Sequence, residues 1–209
     1  MAQLVLPWQS GSALRREDFI VGDANREAVA FVDAYPDWPA PAAALYGPAQ
    51  SGKSHLVSAW AARAGGHVVD AAKLGEAPAE GPLAVEDVDR AEPDERAIFA
   101  VLESGRPVLF TAERPPAEWH AALPDLRSRY GALLAFALWA PDEALLEKLA
   151  RKLFADRQLA VPDAVVAHMI KSLERSPAAI RDFVARADDK ALSEKRNVTL
   201  GLIRDMLER

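Results

Sequence analysis

Gly47-Pro48-Ala49-Gln50-Ser51-Gly52-Lys53-Ser54 fits the pattern G-x-x-x-x-G-K-[ST]. Its two glycines let successive backbone N–H groups wrap a phosphate, and a helix that starts there adds a dipole favouring anions. In that geometry Lys53 reaches the β- and γ-phosphates, and the Ser54 hydroxyl holds Mg²⁺. A chance glycine loop satisfies the same spacing, so the flanks decide. Ala42–Tyr46 is a short apolar run ended by Gly47 and reads as a buried strand. Ser54–Ala64 reads as a helix closed by Gly65-Gly66. Strand, loop and helix in that order are the context a phosphate-binding loop needs, and Gly47 through Ser54, with His55 beside them, become the candidate nucleotide contacts.

Outward from this loop the same alternation continues. Ala24–Tyr35 carries Val29, Phe31 and Val32 among charges, an amphipathic helix stopped at Pro36. His67–Asp70, Leu83–Val85, Pro107–Thr111 and Leu133–Leu138 are further strand-like runs, Asp94–Glu103 is helical, and 71–82 is a loop. Strands alternating with helices predict an α/β fold with a mostly parallel sheet and helices on both faces. Beyond Pro141 the period changes. One helix carries Leu145, Leu149 and Phe154, and three more cover Val165–Leu173, Pro177–Leu192 and Thr199–Leu207. Ser176 before Pro177 is an N-cap followed by proline at the first helical position. The expected organisation is an extended tail and linker over 1–17, an α/β domain over 18–140 and a small helical domain over 141–209.

Leu83-Ala84-Val85-Glu86-Asp87 is an apolar strand ending in two acids. Glu86 is the candidate metal carboxylate, and Asp87 the group that polarises an attacking water. A solvated strand end reads the same way on its own; the upstream loop favours the first reading.

Composition narrows the classes. The 209 residues suit one sizeable domain with a small appendage; half are hydrophobic and 27% charged, the balance of a globular chain. Cysteine is absent, which excludes disulfides, thiol catalysis and cysteine-ligated zinc. His55, His67, His120 and His168 show no metal-ligand spacing. A net charge of −6 without a Lys/Arg cluster disfavours tight direct DNA binding. No apolar run spans a membrane, and the N-terminus lacks a signal peptide's basic start, so the cytoplasm is the expected location. Trp38, Trp60, Trp119 and Trp139 read as packing residues.

Here a resemblance enters. Phe19-Ile20-Val21-Gly22 with Asn25, Gly52-Lys53-Ser54-His55-Leu56, Leu109-Phe110-Thr111-Ala112-Glu113-Arg114-Pro115-Pro116 and Leu123-Pro124-Asp125-Leu126-Arg127-Ser128-Arg129 resemble DnaA-related AAA+ proteins of the Hda type (Hda/HdaA) over nearly the whole chain. The resemblance implies bound ADP or ATP with Mg²⁺, Ile20 and Val21 beside the adenine, and a helical lid over 142–209. It also implies that Arg129 is an arginine finger acting on a neighbouring molecule's nucleotide. The chain departs from the family at three places. Glu86 stands where the family has Asp, Glu113 stands in the sensor 1 slot, and Ala178 occupies the place of the sensor 2 arginine, with Arg181 one turn later as the candidate replacement. Nucleotide binding survives these changes more readily than hydrolysis by this chain.

Gln3-Leu4-Val5-Leu6-Pro7-Trp8 resembles the Q-L-x-L-P-L motif with which such proteins hold the replicative sliding clamp, the β subunit of DNA polymerase III. Gln3 offers amide hydrogen bonds, Leu4, Leu6 and Trp8 apolar anchors, and Pro7 limits the entropy lost on binding. An extra edge strand is the alternative. The implied function is a regulator of replication initiation that, tethered to the clamp, stimulates ATP hydrolysis by DnaA. Domain length leaves no room after the lid for the DNA-binding domain DnaA carries, so DNA proximity is expected through a partner. The rivals are a self-sufficient ATPase and a factor that recruits DnaA. Monomer or homo-oligomer stays open.

Overall fold

A computed structural model of the chain describes residues 15–91, 93–139 and 141–207. The tail motif Gln3–Trp8 lies outside the described residues. Five strands form one sheet: β1 (Ala42–Tyr46), β2 (His67–Asp70), β3 (Leu83–Glu86), β4 (Val108–Ala112) and β5 (Leu134–Ala137). Their order is β2-β3-β4-β1-β5, and every pairing is parallel. Parallel neighbours need long crossovers, and helices supply most of them. Helix α1 (Arg26–Asp33) precedes β1, and the crossovers use α2 (Lys53–Ala64), α3 (Glu95–Glu103) and α4 (Pro124–Ala132).

Side chains on a strand alternate between faces. Ala43, Leu45, Ala84 and Leu109 therefore meet Val32, Leu56 and Trp60 of α1 and α2 on one face. Ala44, Leu83, Val85, Val108 and Phe110 meet Ile98, Leu126 and Tyr130 of α3 and α4 on the other. Central β4 is buried at all five positions, whereas the edge strand β2 is largely exposed. The C-terminal ends of β1, β3 and β4 thus open on one rim of the sheet, where ligands of open α/β sheets sit.

Four helices follow: α5 (Glu143–Asp156), α6 (Asp163–Ser172), α7 (Pro177–Glu194) and α8 (Leu200–Leu207). They share a separate core that includes Leu146, Phe154, Met169, Ile180, Phe183 and Ile203. Ser176 caps α7, its hydroxyl accepting from the Ala179 N–H at 3.1 Å. Among the described residues no helix is long and apolar enough to cross a membrane.

Two expectations need correction, and one helix went unread. The first part of 71–82 is a 3₁₀ turn over Ala71–Glu76, capped by the Asp70 carboxylate at 2.8 Å and anchored by buried Leu74. The unread helix is α4, whose residues carry no apolar stripe. Only Leu126 and Tyr130 are buried in it, one turn apart among exposed polar residues. Finally, Trp139 is 59% exposed while Trp60 and Trp119 are packed, because it follows the edge strand where little lies over it.

Candidate functional site

The loop after β1 is built on close approach. Gly47 has φ +150°, and a Cβ there would lie 1.9 Å from the Leu138 carbonyl oxygen, so no other residue fits without moving backbone. Gly52, at φ +101°, is the left-handed residue that opens α2. Between them Gln50 holds φ +62°, a region non-glycine residues rarely enter. Asp87, just past β3, holds φ +58°. Two such residues at the rim of one cavity are the kind of stored strain that marks binding sites.

Lys53 is buried, and its Nζ donates to the carbonyls of Gly47 at 2.7 Å and Pro48 at 2.9 Å. Burial pushes its pKa below the ordinary lysine value, against the pull of Glu113, Asp87 and Asp89. An ammonium desolvated in the first turn of α2 interacts strongly with an anion that reaches it. Ser51 Oγ, buried in the loop, has no hydrogen-bond partner among the described residues. Such an orphan is normally satisfied in a native site, and a phosphate oxygen is the acceptor this loop is shaped to offer it.

Lys53 opens onto a cavity of about 390 Å³, within the range of small-molecule sites. Ala49 through His55 form its floor, Asp18, Phe19 and Ile20 one wall, and Asp87, Arg90 and Glu113 the strand-end side. Leu145, Leu146, Leu149, Ala178 and Arg181 of the helical bundle close it from above. Ser54 is exposed toward this space, as a metal-binding hydroxyl requires. ADP or ATP fits here: an apolar wall for a base at one end, a cationic loop for phosphates at the other. Mg²⁺ also fits the donor set, since it commonly takes only one or two protein oxygens beside phosphate and water.

Most of the expected site residues converge on the cavity, with instructive exceptions. Ile20, Ala49, Gln50, Ser51, Gly52, Lys53, Ser54, His55, Asp87 and Arg181 all line it. Gly47 and Pro48 serve it through their carbonyls on Lys53. Val21 is exposed and does not line it. Nor does Glu86, which shares a strand face with Ala84, and whose buried Oε1 has no hydrogen-bond partner among the described residues. Asn25 is committed to backbone: its Oδ1 accepts from Gly22 N–H at 2.9 Å and its Nδ2 donates to Ile20 O at 3.0 Å, which pins the entry segment.

Sequence reasoning passed over Asp18, Arg90 and Asp89. Asp89 accepts the backbone N–H groups of Glu113 (3.0 Å) and Arg114 (2.9 Å), tying β3's exit to β4's. Arg90 pairs with Glu113 at 3.2 Å on the cavity rim. No spacing in the sequence singles them out, because their roles depend on which strand ends meet. Arg129 stands elsewhere, in the last turn of α4, paired with Glu103 at 2.5 Å and lying 4.6 Å over the Phe99 ring. Arg127 donates to the Ala121 carbonyl at 2.8 Å.

No protein-family model matches the chain. Among solved structures it is similar to domain III of the Thermotoga maritima replication initiation protein DnaA, at 17% identity, covering 95% of this chain and 98% of that one with a TM-score of 0.72. The chain has the AAA+ fold. Replication initiator DnaA bound to AMPPCP and single-stranded DNA is similar at 17% identity, 88% and 68% coverage and TM-score 0.69. The Thermotoga maritima RuvB Holliday junction branch migration motor gives 15% identity, 93% and 71% coverage and TM-score 0.70. At these identities the likeness is one of fold.

Proposed function

We propose that the chain is a nucleotide-bound regulator of chromosome replication initiation, tethered through residues 1–8 to the sliding clamp and stimulating ATP hydrolysis by DnaA. The observation that carries this reading is the position of Arg129. It projects from α4 outside the chain's own cavity, half exposed, so it has nothing to do for its own nucleotide. An arginine so placed suits a neighbouring subunit's γ-phosphate, where charge develops during hydrolysis. Its pair with Glu103 is 40% and 52% exposed, and surface pairs of that kind contribute only about 0–1 kcal/mol, so phosphate displaces the carboxylate at little expense. The fold likeness to DnaA supports DnaA as the neighbour, since AAA+ modules of one shape stack on one another.

In this reading ADP or ATP with Mg²⁺ holds the body in a docking-competent form. Lys53 and the N-terminus of α2 hold the phosphates, Ser54 the metal, and Arg181 and the lid leucines shut the cavity. Three parts divide the work: a tail over 1–17 for the clamp, an α/β body over 18–140 and a lid over 141–209.

A second reading has its own support. Asp87 and Glu113 line the same cavity as Lys53, the arrangement a self-sufficient ATPase would use. Steady ATP turnover by the purified chain alone favours that enzyme; stimulation only of DnaA favours the regulator. Clamp tethering is tested by pull-down with purified clamp. Wild type is expected to be retained and the Leu6→Ala, Trp8→Ala double variant lost, with the fold unchanged. Equal retention overturns the tail's role.

A further inference from the structure

Among the described residues, two side-chain hydrogen-bonded links join the helical bundle to the α/β domain. One is Lys152 Nζ to Asp18 Oδ1 at 2.9 Å, an ion pair whose partners are 32% and 42% exposed. The other is Arg181 Nη2 to His55 Nδ1 at 3.2 Å. The first is a surface pair of the weak kind. The second involves a nearly fully buried imidazole and a guanidinium whose charge is disfavoured by burial. Low local dielectric strengthens such a bond, and loss of one partner leaves the other unsatisfied.

The chemistry of the pair fixes the imidazole. A guanidinium has five N–H donors and no acceptor, so Nδ1 of His55 must present its lone pair. The proton then sits on Nε2, which faces the Arg15 carbonyl oxygen at 2.9 Å and donates to it. Phe19 packs edge-on against the ring at 5.2 Å between centroids. One neutral side chain on the phosphate-binding helix α2 thereby joins three walls of the cavity: the entry segment at Arg15 and Phe19, the loop itself, and lid helix α7 through Arg181.

We propose that His55 is the positioning residue that sets the lid over the nucleotide: it holds Arg181 against the cavity through its Nδ1 lone pair and anchors the entry segment through Nε2–H. The inference rests on the nucleotide reading of the cavity. Arg181 lines the cavity but has no other side-chain partner among the described residues, so its direction depends on the imidazole. With His55 truncated, the guanidinium loses its acceptor and the lid its buried polar tie to α2. Gln at the same place restores both roles, because its amide oxygen accepts and its NH₂ donates.

The test uses the full chain and ADP with Mg²⁺ as the probe. His55→Ala and Arg181→Ala are each expected to weaken ADP binding about tenfold, the scale of one hydrogen bond to a charged group. The double variant is expected to be no weaker than His55→Ala alone, since that variant already removes the bond to Arg181. His55→Gln is expected to stay within about threefold of wild type. Nitrogen-15 NMR of the imidazole is expected to show the Nε2–H tautomer. Additive losses, a Gln variant as weak as the Ala variant, or an Nδ1–H tautomer each overturn the latch. A wild type that binds no ADP overturns the nucleotide reading instead. The latch is then judged by the tautomer and by hydrogen exchange in the first turns of α7, which both single variants are expected to raise; unchanged exchange overturns it.

Discussion

Gly47 and Lys53 show how much one position decides. Gly47 sits so near the Leu138 carbonyl that a methyl group there must displace backbone of the strand-end segment beside it. Gly47→Ala is expected to lose about 1–3 kcal/mol of stability, the usual range for overpacking, read by urea denaturation. An unchanged midpoint would mean that the loop relaxes freely. Lys53 is different, because its contacts are to loop carbonyls and, in the proposed reading, its charge serves a nucleotide. Lys53→Ala is expected to lose most of the rise in melting temperature that ADP gives wild type, since a ligand stabilises only the state it binds. A full shift in the variant would move the phosphate site elsewhere. Both residues were legible in the sequence, because G-x-x-x-x-G-K-[ST] is local. Asp89, Arg90 and the lid leucines were not, because their roles depend on which strand ends and helices meet, and one-dimensional spacing does not carry that.

At the scale of elements, all five strands were readable as short apolar runs bounded by turn residues, buried in β1, β3 and β4 and more open in the edge strands β2 and β5. Helix α4 was hidden for the opposite reason. It faces solvent on most sides and needs only Leu126 and Tyr130 to seat it, so no stripe of apolar residues announces it. The entry segment is held by electrostatics that no pattern reveals: Arg16 donates twice to the Asp33 carboxylate of α1, at 2.8 and 2.6 Å. The guanidinium holds the Asp33 carboxyl below its ordinary value of 3.8. A carboxyl with a depressed folded value contributes stability at pH above 3.8, and that contribution is lost as pH falls through the folded value. Asp33→Asn is therefore expected to be less stable than wild type at neutral pH and to close that gap in acid. Stability curves measured in urea between neutral and strongly acidic pH check this; a gap that stays constant with pH would remove the pair from the account.

For the whole molecule the question is why a chain with its own nucleotide cavity carries Arg129 on a different face. In the proposed reading the cavity is closed by Arg181 and the lid leucines from within the chain, and Arg129, outside that cavity, serves a neighbour. The acidic net charge of −6 fits a body brought to DNA by the clamp and by DnaA, not by its own surface. The most direct measurement follows hydrolysis of ATP bound to DnaA in the presence of clamp loaded on DNA, with wild type or Arg129→Ala. Wild type is expected to accelerate hydrolysis, and the variant to keep its fold, ADP binding and clamp binding while losing the acceleration. Arginine fingers elsewhere are worth on the order of 10³–10⁵ in rate, so the loss is expected to be near complete. Equal acceleration by the two proteins would contradict the role of Arg129, and no acceleration by wild type would contradict the regulator itself.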